Sequence, residues 1–228
     1  MMIAGSSPIL DSGSGPPPDE LFADLQLDRH DLPKILRRYR LGLALYIASV
    51  VMLLVGFSSA YIVRRGIPTY EAATDAYSAS WEPLKLPVAL LVVNTLLLVG
   101  ASIAMEIARR KSQVSAFSRE REKHRGSGWI SFSLLLSLGF VMGQGIAWHR
   151  LRLAGLFMSS GPRTAFFYVL TGTHAFHAIV VIAVLAWIAV RQGHWLPFRQ
   201  YVAVDLSACY LHSMTVLWIY LFCFLLFA

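Results

Sequence analysis

The side chains able to do chemistry are few, and they sit in apolar surroundings. His174 and His177 stand three residues apart, so any helix that carries them shows both on one face. His212 falls in a later apolar stretch, beside Ser213 and Thr215. Three imidazoles at a similar depth could ligate haem or a metal ion, given facing geometry and further ligands. That ligand set is incomplete here, so the expected roles are structural: hydrogen bonds between neighbouring helices, worth about 0.6 kcal/mol each on average. Glu106 stands three and four residues before Arg109 and Arg110 and can pair with both. Asp205 opens the last apolar stretch. Neither acid lies in mid-stretch, where a proton channel or ion-coupled carrier normally keeps a carboxylate. Cys209 and Cys223 are separated by about 21 Å of helix, beyond disulfide reach. No nucleophile–base arrangement, glycine-rich phosphate loop or pair of broken helices is visible, so neither enzyme nor carrier chemistry is indicated.

The elements that must hold these side chains follow from hydropathy. Apolar residues make up 56% of the 228, too much for one soluble core of this length to hide. The charges are segregated, and five stretches carry almost none: 41–63, 87–108, 128–148, 164–190 and 202–227. Each is long enough to cross a hydrocarbon layer of about 30 Å, and backbone polar groups in lipid must be satisfied within the segment. The fold class expected is therefore an all-α membrane protein of five transmembrane helices. Residues 1–36, rich in Gly, Ser, Pro and Asp, read as a disordered or extended tail before a transmembrane domain over 37–228. Lys and Arg concentrate before the first stretch, between the second and third, and between the fourth and fifth. That asymmetry predicts a cytoplasmic amino terminus and a carboxyl terminus on the far side of the membrane. The net charge of +7 comes from these flanks and not from one basic face, which argues against nucleic-acid binding.

Polar residues at bilayer depth face protein or water rather than lipid. Asn94, Gln144, Thr171, His174, His177 and His212 are accordingly expected to make structural contacts within the membrane, with Gln144, His174, His177 and His212 joining helices three, four and five. Arg37, Arg38, Arg40, Arg109 and Arg110, at stretch ends, are candidates for lipid headgroups. Small residues in Gly56-x-x-x-Ala60 and Gly139-x-x-x-Gly143 suit close helix packing.

Read in order, several segments resemble a known family. They are the first stretch from Leu41 to Phe57, Asn94-Thr95 in the second, and Gly143-Gln144 followed by Trp148. They continue with Phe167 to His177, where two histidines follow a Thr-Gly pair, then Tyr210-x-His212 and Val216-Leu-Trp218. Over about residues 40 to 226 the chain resembles the short, five-helix bacterial type of cytochrome c oxidase subunit III, an accessory subunit of haem–copper oxidases. The resemblance implies a non-catalytic subunit with no redox centre of its own. Haem and copper would reside in partner subunits. It also implies bound phospholipid and packing against the catalytic subunit I, whose proton-uptake entrance such subunits help maintain. Subunit II is implied as a further partner, and a larger respiratory supercomplex is an assembly open to it. The chain departs from the family at three positions: Val50, Ala147 and Thr215 stand where carboxylates are usual. Those departures leave packing intact and put a proton-relay contribution in doubt. Two alternatives stay in view: a subunit III-like companion of a nitric-oxide reductase, which the missing carboxylates suit, and a small His-ligated haem or metal membrane protein.

Overall fold

The computed structural model describes residues 18–67, 69–71, 76–78, 87–117, 127–191 and 197–227. Two compact units are distinguished, residues 1–41 and 42–228. Five α-helices account for nearly all the described chain: α1 Pro18–Gly66, α2 Val88–Phe117, α3 Ser127–Leu153, α4 Pro162–Arg191 and α5 Pro197–Phe227. Each contains a segment long and apolar enough to span a membrane. The five-helix expectation therefore holds.

The helices run beyond the apolar stretches that announced them. α2 continues through Arg109 and Arg110 to Phe117, and α3 continues past Trp148 to Leu153. Hydropathy marks where lipid ends, whereas the i→i−4 hydrogen-bond ladder stops only when its geometry breaks. For α3 that break is explicit. Gly155 takes φ +77°, the Leu156 N–H donates to the Leu151 carbonyl, and the Gly155 N–H donates to that of Arg152, both at 3.0 Å. This paired pattern around a left-handed glycine closes a helix terminus. Pro is the first residue of α1, α4 and α5, where its missing N–H leaves no helical bond unmade.

Two further differences concern the ends of the first stretch. Of the expected tail over 1–36, residues 1–17 lie outside the described residues, and α1 already begins at Pro18. The loop after α1 holds a short antiparallel pair, β1 Thr69–Glu71 and β2 Ala76–Ser78, with Tyr70 opposite Tyr77. Apart from it the described chain is helical, so the all-α class stands.

Within residues 42–228 the packing is a closed ring: α2 against α3, α3 against α4, α4 against α5, and α5 back against α2. Its core comprises Leu91, Leu98 and Met105 of α2, Phe140 of α3, Leu185 of α4 and Trp218 of α5. Residues 42–66 of α1 come no closer than 8 Å, Cα to Cα, to the ring helices. They engage it by side chains alone, through Leu43, Ile47 and Val50 at one level and Leu54 and Phe57 at another. Outward faces stay apolar, as Met52, Leu135 and Phe176 show. Surface of that kind belongs against acyl chains or other subunits.

Candidate functional site

Several polar side chains of the membrane interior stitch the ring, and each stitch has a local cause. Between α3 and α4, the Trp148 indole N–H donates to Thr171 Oγ1 at 3.1 Å, while Thr171 donates back to the Phe167 carbonyl at 2.7 Å. The Thr hydroxyl thus satisfies its own helix and accepts from the next one. The same device joins α5 to α2. The Trp218 N–H reaches Thr95 Oγ1 at 3.0 Å, and Thr95 donates to the Leu91 carbonyl at 2.8 Å. Between α3 and α2, Ser133 Oγ donates to the Ala101 carbonyl at 2.9 Å.

A charged cluster closes the α2–α5 seam. Glu106 takes two hydrogen bonds from Arg109, at 2.8 and 2.9 Å, and one from Arg110 at 2.9 Å. Arg109 also reaches Asp205 of α5 at 3.4 Å, and that carboxylate is fully buried. His212 hydrogen-bonds through Nδ1 to Ser102 Oγ and lies 3.4 Å from Glu106 through Nε2. Burial of the Asp205 carboxylate is tolerable because Arg109 pairs with it.

The remaining candidate residues are placed differently from one another. Asn94 and Gln144 are both buried, yet Asn94 Nδ2 and both amide atoms of Gln144 lack a hydrogen-bond partner among the described residues. A Cβ built on Gly143 would fall inside the Asn94 amide, so this glycine is what lets α2 and α3 close there. Gly139 also faces α2, against Leu97, whereas Gly56 meets no neighbouring atom within 4 Å. Only the Gly139–Gly143 pair therefore acts as a packing face. His174 sits against Phe140 and Trp218, with ring centroids 5.8 and 5.1 Å away. His177 donates from Nδ1 to the Thr173 carbonyl at 2.7 Å and approaches Tyr46 of α1. The three histidines thus have separate partners. Among the described residues no group of three His, Cys, Asp or Glu side chains could hold a metal ion. Arg37, Arg38, Arg40 and Arg110 are exposed, while Arg109 is held in the charged cluster.

Sequence reasoning gave no hint of Ser102, Ser133 or the Thr95–Trp218 bond as stitches. A Ser or Thr in an apolar stretch can satisfy itself on its own helix, so its type alone carries no sign of a partner on another one.

Two spaces flank α1. A small cavity between α1, α4 and α5, with about 20 Å³ of room for a water-sized sphere, is lined by Val50, Phe57, Thr173, His174, His177 and Met214 among others. A wider apolar groove of about 570 Å³ runs between α1 and α4, past Val63, Arg64, Ile67, Phe166 and Val169.

The family model described as cytochrome c oxidase subunit III matches residues 23–228. The chain belongs to that family. It is 27% identical over 188 residues to a probable cytochrome c oxidase subunit 3 of Nocardia farcinica, covering 79% of this chain and 83% of that one. It is 28% identical over 189 residues to cytochrome c oxidase subunit 3 of Marchantia polymorpha, covering 80% and 66%. The subunit 3 of Oncorhynchus mykiss is 24% identical over 197 residues, covering 85% and 70%. In this frame the three departures gain positions. Val50 lines the small cavity beside both α4 histidines. Ala147 is fully buried in α3, and Thr215 is buried with its hydroxyl on the Leu211 carbonyl at 2.8 Å. Ala147 and Thr215 are thus enclosed by the helix assembly, while Val50 is half-buried at the edge of the cavity.

Proposed function

We infer that this chain is the accessory subunit III of a respiratory haem–copper oxidase, acting in aerobic electron transport by supporting a catalytic subunit rather than by its own chemistry. The family match over nearly the whole chain carries this reading. The interior agrees with it: hydrogen bonds such as Trp148 to Thr171 and Trp218 to Thr95 join its helices, and its outward faces carry many exposed apolar side chains. Such faces suit burial against a larger membrane subunit, here subunit I as principal partner with subunit II beside it.

Phospholipid binding is part of the proposal. The groove beside α1 is apolar along Val63, Ile67 and Val169 and carries one cation, Arg64, fitting an acyl chain with its phosphate at the rim. The exposed Arg37, Arg38, Arg40 and Arg110 would meet headgroups at the cytoplasmic face of a bacterial plasma membrane.

The loss of carboxylates at Val50, Ala147 and Thr215 favours one second reading, a companion of a nitric-oxide reductase that moves no protons. Mild solubilisation followed by mass spectrometry of the intact complex separates the two. A haem- and copper-bearing oxygen-reducing subunit as principal companion supports the first reading, and a nitric-oxide-reducing one the second. A chain that migrates alone refutes both.

A further inference from the structure

The cavity between α1, α4 and α5 is the size of a single guest. Roughly 10–15 Å³ of such room suffices for one water, and this cavity offers about 20 Å³. Room alone is not enough, since cavities walled by hydrocarbon stay dry and a water needs two to four polar partners. α1 supplies none of these: its contributions are Val50, Leu54 and Phe57. α4 supplies three, in Thr173, His174 and His177.

The hydrogen-bonding state of the two imidazoles decides what they can take. His177 Nδ1 bonds a carbonyl, which can only accept, so the ring hydrogen sits on Nδ1 and the neutral ring leaves Nε2 as an acceptor. His174 is 5% exposed, and its Nε2 has no partner among the described residues. Buried polar atoms of this kind are normally satisfied by protein or by an ordered water. We propose that the cavity binds one water molecule, which donates to His177 and hydrogen-bonds His174, so that the α4 histidine pair is satisfied without any polar atom from α1. Water fits this site because it donates and accepts together. The inference rests on the packing of α1, α4 and α5 and stands apart from the oxidase reading.

The test uses the full chain in lipid nanodiscs with whatever companions it retains. Val50→Met fills the cavity. If a hydrogen-bonded water is expelled, the melting temperature falls by about 2–4 °C. In the His174→Phe background the polar demand is reduced, and the same Val50→Met should raise it. That reversal of sign, with a resolved density peak within hydrogen-bond distance of both imidazoles in the unsubstituted protein, is the expected result. A dry cavity would make Val50→Met stabilising in both backgrounds, and simple overcrowding would make it destabilising in both. Either outcome overturns the proposal. Should His174→Phe fail to fold, the density map decides alone, and an empty cavity at high resolution overturns it.

Discussion

Gly143 and Asn94 form the tightest point between two helices of the ring. A methyl at 143 would occupy the space of the Asn94 amide, and Asn94 is too buried to swing clear. Gly143→Ala should therefore destabilise by about 1–3 kcal/mol, the usual range for overpacking. Asn94→Ala in the same chain should recover much of the loss, and the thermal unfolding of single and double variants measures that coupling. Trp218→Phe removes the N–H that reaches Thr95 while keeping most of the ring against Phe140. A loss of about 0.6 kcal/mol is expected, in keeping with interhelical hydrogen bonds in bilayers. At this scale the sequence was only half informative. Burial of Asn94, Gln144, Thr171, His174 and His177 was legible, because a polar group in an apolar stretch avoids lipid. Partners were not. Thr95 and Trp218 meet across most of the chain, and only the rotation of α2 and α5 about their axes brings them together.

Among elements, α1 and α2 make opposite demands. Residues 42–66 of α1 rely on side chains to hold the ring, and Tyr61 is a main anchor, buried edge-on against Phe166 and Phe224 at 5.6 and 5.1 Å. Tyr61→Ala should loosen α1 by about 1–3 kcal/mol, the worth of two such aromatic pairs. Faster hydrogen exchange in α1, with α2–α5 unchanged, would register it; uniform loosening would show that α1 is integral to the ring. α2 is tied by charge. Glu106→Gln leaves Arg109 with Asp205 alone and deprives Arg110 of its carboxylate. A loss of about 1.5–3 kcal/mol is expected from charged hydrogen bonds, read as a lowered melting temperature. Element existence was plain in the sequence, since five apolar stretches of membrane length admit little else. Their ends were not plain, because charged residues such as Arg109 continue a helix that hydropathy has already left. The β1–β2 pair was invisible for another reason: three residues per strand are too few for alternation to show.

For the whole molecule, the Lys and Arg distribution about the five spans argues for Arg191 on the cytoplasmic side and the end of α5 on the far side. An alkaline phosphatase fused at Ala228 should be active, because it needs the oxidising far side to form its disulfides, and the same fusion after Arg191 should be inactive. The reverse pattern would invert the orientation argued from Lys and Arg. The closed ring with one helix held outside it also sets an order of events during synthesis. Tyr61 enters the bilayer early, yet Phe166 and Phe224 are made more than a hundred residues later. At about 5–20 residues per second, the first helix spends several seconds to tens of seconds among lipids before its docking surface exists. A helix that waits must be stable in hydrocarbon by itself, which fits the uncharged run over 41–63 of α1, while the helices that close the ring can carry the histidines, the buried acid and the amides.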